Sequence, residues 1–184
     1  MNWDFQMADG YWEIAVLDQL QKIRNPLLDK VMGFLSLIGD AGLFWIVLAL
    51  LFVCFSKKYK SMGWQMIWAM LLTFIVGNLI LKNVFERPRP FGTDLFLING
   101  AIPKDSSFPS GHTMNGFSAA VVILCNHREI GIPAILFAGA IAFSRLYNYC
   151  HFPTDVLAGI LIGTVIALFC TWWYRRYQNT IKFI

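Results

Sequence analysis

Residues 144 to 155 read Ser-Arg-Leu-Tyr-Asn-Tyr-Cys-His-Phe-Pro-Thr-Asp, so Arg145, His151 and Asp155 lie together between two strongly apolar stretches. Ionisable groups are costly in such surroundings and usually persist because they act on something. Two other clusters share their character: Lys82 followed after six residues by Arg89-Pro90, and the run Pro109-Ser110-Gly111-His112. Lysine and arginine stay protonated and match the oxygens of a phosphate. Ser110 stands where a helix cap would, and Gly111 lets backbone come close, so the free amides of a following helix can bind the same anion. These residue types suit phosphoryl capture, with Lys82, Arg89, Ser110, Gly111 and Arg145 as the cradle. Taken singly, each has an ordinary reading. His151 and Asp155, four apart, could simply form a hydrogen bond at a helix start, His112 could be an interfacial histidine, and Lys82 and Arg89 could anchor a helix end. No clustered set of acidic metal ligands accompanies them, so chemistry without a metal or other cofactor is expected.

The elements that must bring these clusters together are set by the solvent of the chain. Of 184 residues, 57% are hydrophobic and 14% charged, too apolar for an ordinary soluble domain. The expected fold is all-α: one integral-membrane helical bundle over residues 1–184, with N-terminal short helices in 1–40, the bundle in 41–184 and the chemical residues in 82–155. Stretches 61–82, 110–126, 131–149 and 154–174 meet or approach the roughly 20 apolar residues of a spanning helix. Ala41 to Phe55 is shorter and is read as a first span that tilts or extends, which makes about five. Met1 to Arg24 lacks the pattern of a cleavable signal and is too polar to span; its alternation of apolar and charged residues suits a helix lying on the membrane surface. Asn25-Pro26 then caps and opens another short helix.

Charge decides orientation and partners. Lys57, Lys58 and Lys60 follow the first span, Arg128 follows the third, and Arg175, Arg176 and Lys182 follow the fifth, which places that side in the cytoplasm. The C-terminus is then cytoplasmic, and all three chemical clusters meet at the outer face. The net charge of +4 is scattered among apolar spans rather than gathered on a polar face, so no nucleic-acid partner is expected; the bilayer and a phosphorylated lipid are. Arg87 has no place in the spacing pattern and is read as a surface or headgroup residue. The loop from Phe91 to Phe108 is read as interfacial, with the option of shaping lipid entry.

The three motifs, in this order, resemble the type 2 phosphatidic acid phosphatase superfamily, which also contains bacterial lipid-pyrophosphate phosphatases and the vanadium haloperoxidases. The resemblance implies that His151 attacks phosphorus, that Asp155 holds the proton on the other ring nitrogen, and that His112 is the general acid and then the base for water. It implies a metal-independent hydrolase of a lipid phosphate or pyrophosphate, such as undecaprenyl pyrophosphate, phosphatidic acid or phosphatidylglycerophosphate, in a bacterial-type cytoplasmic membrane. A lipid-phosphate binding or transport protein and a vanadate-dependent enzyme are the alternatives. Tyr149 departs from the pattern, standing where many members have a small residue such as glycine.

Overall fold

A computed structural model describes residues 11–90 and 105–181. The regular elements among the described residues are all helices, with no strand: α1 (Tyr11–Gln21), α2 (Pro26–Ile38), α3 (Leu43–Phe55), α4 (Lys60 to Phe85), α5 (Gly111–Asn126), α6 (Arg128–Tyr147) and α7 (Pro153–Ile181). Most of the 91–108 loop, residues 91–104, lies outside the described residues, as do the first ten residues and Lys182.

Local chemistry explains the boundaries near the site. Asn25 caps α2, its side chain accepting from the Leu28 amide at 2.9 Å, with Pro26 in the first turn where its missing N–H costs nothing. After Gly39 the backbone takes positive φ at Ala41 and Gly42, and α3 leaves at 46° to α2. Within α4, Ile75–Leu81 widens into a π-helical segment immediately before Lys82, a device that re-aims the side chains after it.

The centre of the bundle is α5, which packs against α4, α6 and α7. Small residues allow the close approach that helices in lipid depend on, where no hydrophobic force draws them together. A Cβ added at Gly163 of α7 would stand 2.5 Å from the Met114 carbonyl oxygen of α5, and one at Gly131 would stand 2.2 Å from the Leu124 Cα. Ala119, Ala120 and Ala138 are fully buried between the same helices. At the end remote from the site, Asn126 donates to the Gln65 side chain at 2.8 Å, and Arg175 donates to the Cys125 carbonyl at 2.5 Å. This is the end that carries the basic turns expected in the cytoplasm.

Outward-facing positions are apolar. Leu50, Leu51, Leu157, Leu161, Val165 and Leu168 are exposed, as are Trp64, Trp68, Trp172 and Trp173 near helix ends, a surface that lipid and its interface would cover. The helices at Lys60–Phe85, Arg128–Tyr147 and Pro153–Tyr177 are each long and apolar enough to cross a membrane, and the bent pair α2–α3 makes a fourth if it acts as one span. The fifth expected crossing rests on α5. At 16 residues it is about 24 Å long, short of a full hydrocarbon core, and is jacketed by protein. Helix α1 does more than lie on a surface: it buries Glu13 and Leu17 against the bundle while exposing Trp12 and Val16.

Candidate active site

The end of α4, the segments 86–90 and 105–110, the start of α5, the end of α6 and the turn into α7 meet at one end of the bundle. Backbone hydrogen bonds stitch them: the Ser107 amide to the Arg87 carbonyl at 2.8 Å, the Ser110 amide to the Asp155 carbonyl at 3.1 Å, and the Cys150 amide to the Arg145 carbonyl at 2.9 Å. A Cβ at Gly111 would lie 3.9 Å from the Lys82 ammonium, which shows how closely the first two motifs approach. All eight residues singled out from the sequence lie at this end.

The cradle is assembled as follows. Ser110 takes an extended backbone at the cap position of α5, yet its hydroxyl accepts from Thr113 Oγ1 at 3.0 Å and makes no capping bond. The Ser110 side chain therefore does not occupy the first-turn amides beginning at Gly111, which are the kind of donors an anion can use. Arg145 is 6% exposed, donates through Nη1 to the Ser36 hydroxyl, and its buried Nε meets no acceptor among the described residues. Lys82 and Arg89 converge on one carboxylate, that of Asp105: Lys82 Nζ bonds Oδ2, and Arg89 Nη2 bonds Oδ1 at 2.8 Å. Burial raises the Asp105 carboxyl, but the Lys82 hydrogen bond and the Arg89 and Lys82 charges outweigh it and hold the group at about 2. Asp105 thus carries its negative charge at any physiological pH, on two of the cations a phosphate would use.

That overlap has a measurable consequence. A phosphate entering the cradle meets a like charge that competes for the same two donors, so Asp105→Asn is expected to lower KM several-fold with little change in kcat. A rise in KM in steady-state kinetics would instead mean that Asp105 organises the cradle rather than competing within it.

His151 is fully buried in the turn between α6 and α7. Its Nδ1 donates to the Ser107 carbonyl at 2.8 Å, which fixes the tautomer and leaves the lone pair on Nε2. Nε2 accepts from Arg89 Nη1 at 3.1 Å and so faces the cradle. Burial pushes the imidazole down to about 4, with the Arg89 and Arg145 charges adding to it and the Asp155 carboxylate opposing. The ring is therefore neutral, and nucleophilic, at any pH well above that value.

Asp155 stands differently from the simple expectation of a direct hydrogen bond. Its Oδ2 is 3.7 Å from His151 Nδ1, beyond hydrogen-bond range, and the carboxylate is held by Ser107 Oγ at 2.5 Å, the Phe152 amide at 2.8 Å and Arg87 Nη1 at 2.6 Å. The Ser107 carbonyl accepts the hydrogen bond from His151 Nδ1, with the Asp155 carboxylate just beyond it. His112, in the first turn of α5, donates from Nε2 to the Ser36 carbonyl at 3.2 Å with Asp40 at 3.8 Å, and it lies within electrostatic reach of Arg145, His151 and Arg89.

Sequence reasoning missed Ser36, Asp105 and Ser107, and it misplaced Arg87. Far from being a headgroup contact, Arg87 bonds Asp155, Thr154 and Glu13 and lies over the Phe152 ring at 4.0 Å. Its position two residues before Arg89 was the available signal. Tyr149 adopts φ +57°, a left-handed conformation that costs a non-glycine residue roughly 1–2 kcal/mol and that a glycine would adopt freely. Its hydroxyl donates to Asp18 of α1 at 2.8 Å, a contact glycine could not make.

The PAP2 superfamily model matches residues 62–179, which include every one of the eight site residues. The chain belongs to the PAP2 superfamily. Among PAP2 relatives, an undecaprenyl-diphosphatase of Sulfolobus acidocaldarius is 31% identical over 169 residues, covering 88% of this chain and 80% of that one. A probable sphingosine-1-phosphate phosphatase of Dictyostelium discoideum is 28% identical over 94% of this chain, which spans only 45% of that relative's length. The crystal structure of a PAP2 type phosphatidylglycerolphosphate phosphatase from Bacillus subtilis superposes with a TM-score of 0.75 at 26% identity, over 92% of this chain and 87% of that one. The PAP2 fold thus extends beyond the motifs to nearly the whole helical bundle.

Proposed function

We propose that the protein is a membrane lipid phosphatase that works through a phosphohistidine on His151 without a metal ion. The observation that carries the reading is the His151 geometry: a buried imidazole whose proton is fixed on Nδ1 and whose Nε2 lone pair faces Arg89. Nε2 attacks phosphorus as the bond to the leaving oxygen breaks, and protonated His112 supplies that oxygen with its proton. Neutral His112 then takes a proton from water, the hydroxide attacks the phosphohistidine, and the N–P bond breaks to free phosphate. The Lys82, Arg89 and Arg145 cations and the first amides of α5 stabilise the transferring group, a task electrostatics can perform alone. Asp155 steadies the charge that His151 gains.

Undecaprenyl pyrophosphate, phosphatidylglycerophosphate and phosphatidic acid are the substrates to weigh, the first two supported by the relatives above. The site lies at the end of the bundle remote from the basic turns, which supports an outward-facing site in a bacterial-type cytoplasmic membrane with the C-terminus inside. Clustering at one end favours hydrolysis over transport, whose sites tend to lie near mid-membrane. Phosphate release from the three lipids in detergent with chelator should reveal one preferred substrate; no release above a His151→Ala blank from any of them contradicts the reading. In intact cells, a cysteine at Asp40 should react with an impermeant thiol reagent and one at Lys58 should not, and the reverse pattern would invert the orientation.

A further inference from the structure

Glu13 lies on α1, outside the region covered by the three motifs, yet it is 4% exposed. One carboxylate oxygen accepts from the Thr154 amide at 3.0 Å and the Thr154 hydroxyl at 2.6 Å, and the other pairs with Arg87 Nη2 at 2.5 Å. Arg87 spends its second terminal nitrogen on Asp155 Oδ1 at 2.6 Å and Thr154 Oγ1 at 2.7 Å. A buried carboxylate with three donors and a guanidinium with both ends committed form a fixed bracket rather than a mobile surface pair. The bracket stands directly behind the oxygen of Asp155 that faces away from His151. Two more contacts hold α1 down on the same turn: Tyr149 on Asp18 and Gln21 on the Tyr147 carbonyl at 3.1 Å.

We propose that Arg87 is a positioning residue for the hydrolytic reaction and that Glu13, from the N-terminal helix, acts through it. Arg87 balances the Asp155 charge and fixes the carboxylate's orientation, and Glu13 in turn fixes Arg87 and neutralises its excess positive charge. Without Glu13, Arg87 Nη2 would lose its acceptor and the excess positive charge of the guanidinium would stand uncompensated behind Asp155. Helix α1 is in this way part of the active site through its hold on Arg87. The proposal rests on the phosphohistidine reading of the site.

The test uses the full-length enzyme in detergent, with undecaprenyl pyrophosphate, phosphatidylglycerophosphate and phosphatidic acid as probes. Arg87→Met should lower kcat at least about tenfold with KM within about twofold of wild type, because the cradle is untouched. Arg87→Lys should recover part of the loss. Glu13→Gln, which keeps an acceptor for Thr154, should lower kcat by a smaller factor, and the Glu13→Gln/Arg87→Met double variant should be no slower than Arg87→Met alone, since the two act in series. The double variant also removes both buried charges together, so it remains informative if Arg87→Met by itself fails to fold for want of a partner to Glu13. Loss of Arg87 leaves Asp155 uncompensated and raises the basicity of His151, so the acid limb of kcat/KM should move to higher pH. A raised KM with kcat retained, strictly additive losses or an unmoved acid limb would overturn the proposal. If His151→Ala is inactive while Arg87→Met stays within twofold of wild type, the positioning role fails and the phosphatase reading stands; if wild type releases no phosphate, that reading itself has failed.

Discussion

His151→Ala is expected to reduce phosphate release by on the order of 10³-fold or more while phosphate or vanadate still binds. The two effects separate because they belong to different atoms. The lone pair on His151 Nε2 faces Arg89, whereas the proposed anion contacts are Lys82, Arg89, Arg145 and the amides at the start of α5. Removing the ring deletes the proposed nucleophile and one acceptor of Arg89, while Arg89 keeps its bonds to Asp105 and to the Cys150 carbonyl. Direct binding measurements on the purified variant, beside its turnover, check both halves. Turnover near wild type would remove His151 as the nucleophile, and loss of binding with loss of turnover would mean that the imidazole organises the cradle.

The second large effect is expected at His112. Asparagine there keeps a polar group beside the Ser36 carbonyl but cannot carry a proton to the leaving oxygen or take one from water, and a loss of about 10²–10⁴-fold in kcat is the usual scale for such a group. The two halves of the cycle depend on it unequally. With 4-nitrophenyl phosphate the leaving group needs little proton assistance, so His112→Asn should form the phosphoenzyme readily and hydrolyse it slowly. A burst of nitrophenol followed by a slow steady state is the expected trace. The pH profile gives an independent check. The neutral His151 ring protonates only near pH 4 in the free enzyme, so the acid limb of kcat/KM should fall below the range of an ordinary histidine. The basic limb should follow His112 and vanish in His112→Asn, subject to the mutual coupling of two close histidines. A profile unchanged by that substitution would exclude the acid–base role.

The helical bundle and the three clusters of site residues were legible in the sequence for one physical reason: each is written in a local pattern. Apolar runs of spanning length, Asn25 before Pro26, and the fixed spacings around Lys82, Ser110 and His151 each lie within a short stretch of chain. What escaped was set by packing between distant elements. Glu13 meets Thr154 from 141 residues away, and Ser36 reaches both His112 and Arg145 from the last turn of an apolar helix that gives no hint of a polar role. Asp105 looked like a loop charge until its neighbours were known, and Arg87 looked like a surface residue because its two acidic partners come from opposite ends of the chain. Asp155 was expected to touch His151 directly; the Ser107 carbonyl takes that place because the 105–110 segment folds between them. The Tyr149 departure also became intelligible only in three dimensions, where a strained backbone is retained with a contact to α1.

Trapping the covalent intermediate tests the central claim most directly. Wild-type and His151→Ala enzyme, both in chelator, would be quenched within milliseconds of mixing with labelled substrate and their phosphorylated peptides mapped. The account predicts an acid-labile, alkali-stable phosphoryl group on His151 in the wild type, none in His151→Ala, and a larger amount in His112→Asn. Label on another residue, or rapid turnover with no label at any time, would contradict it.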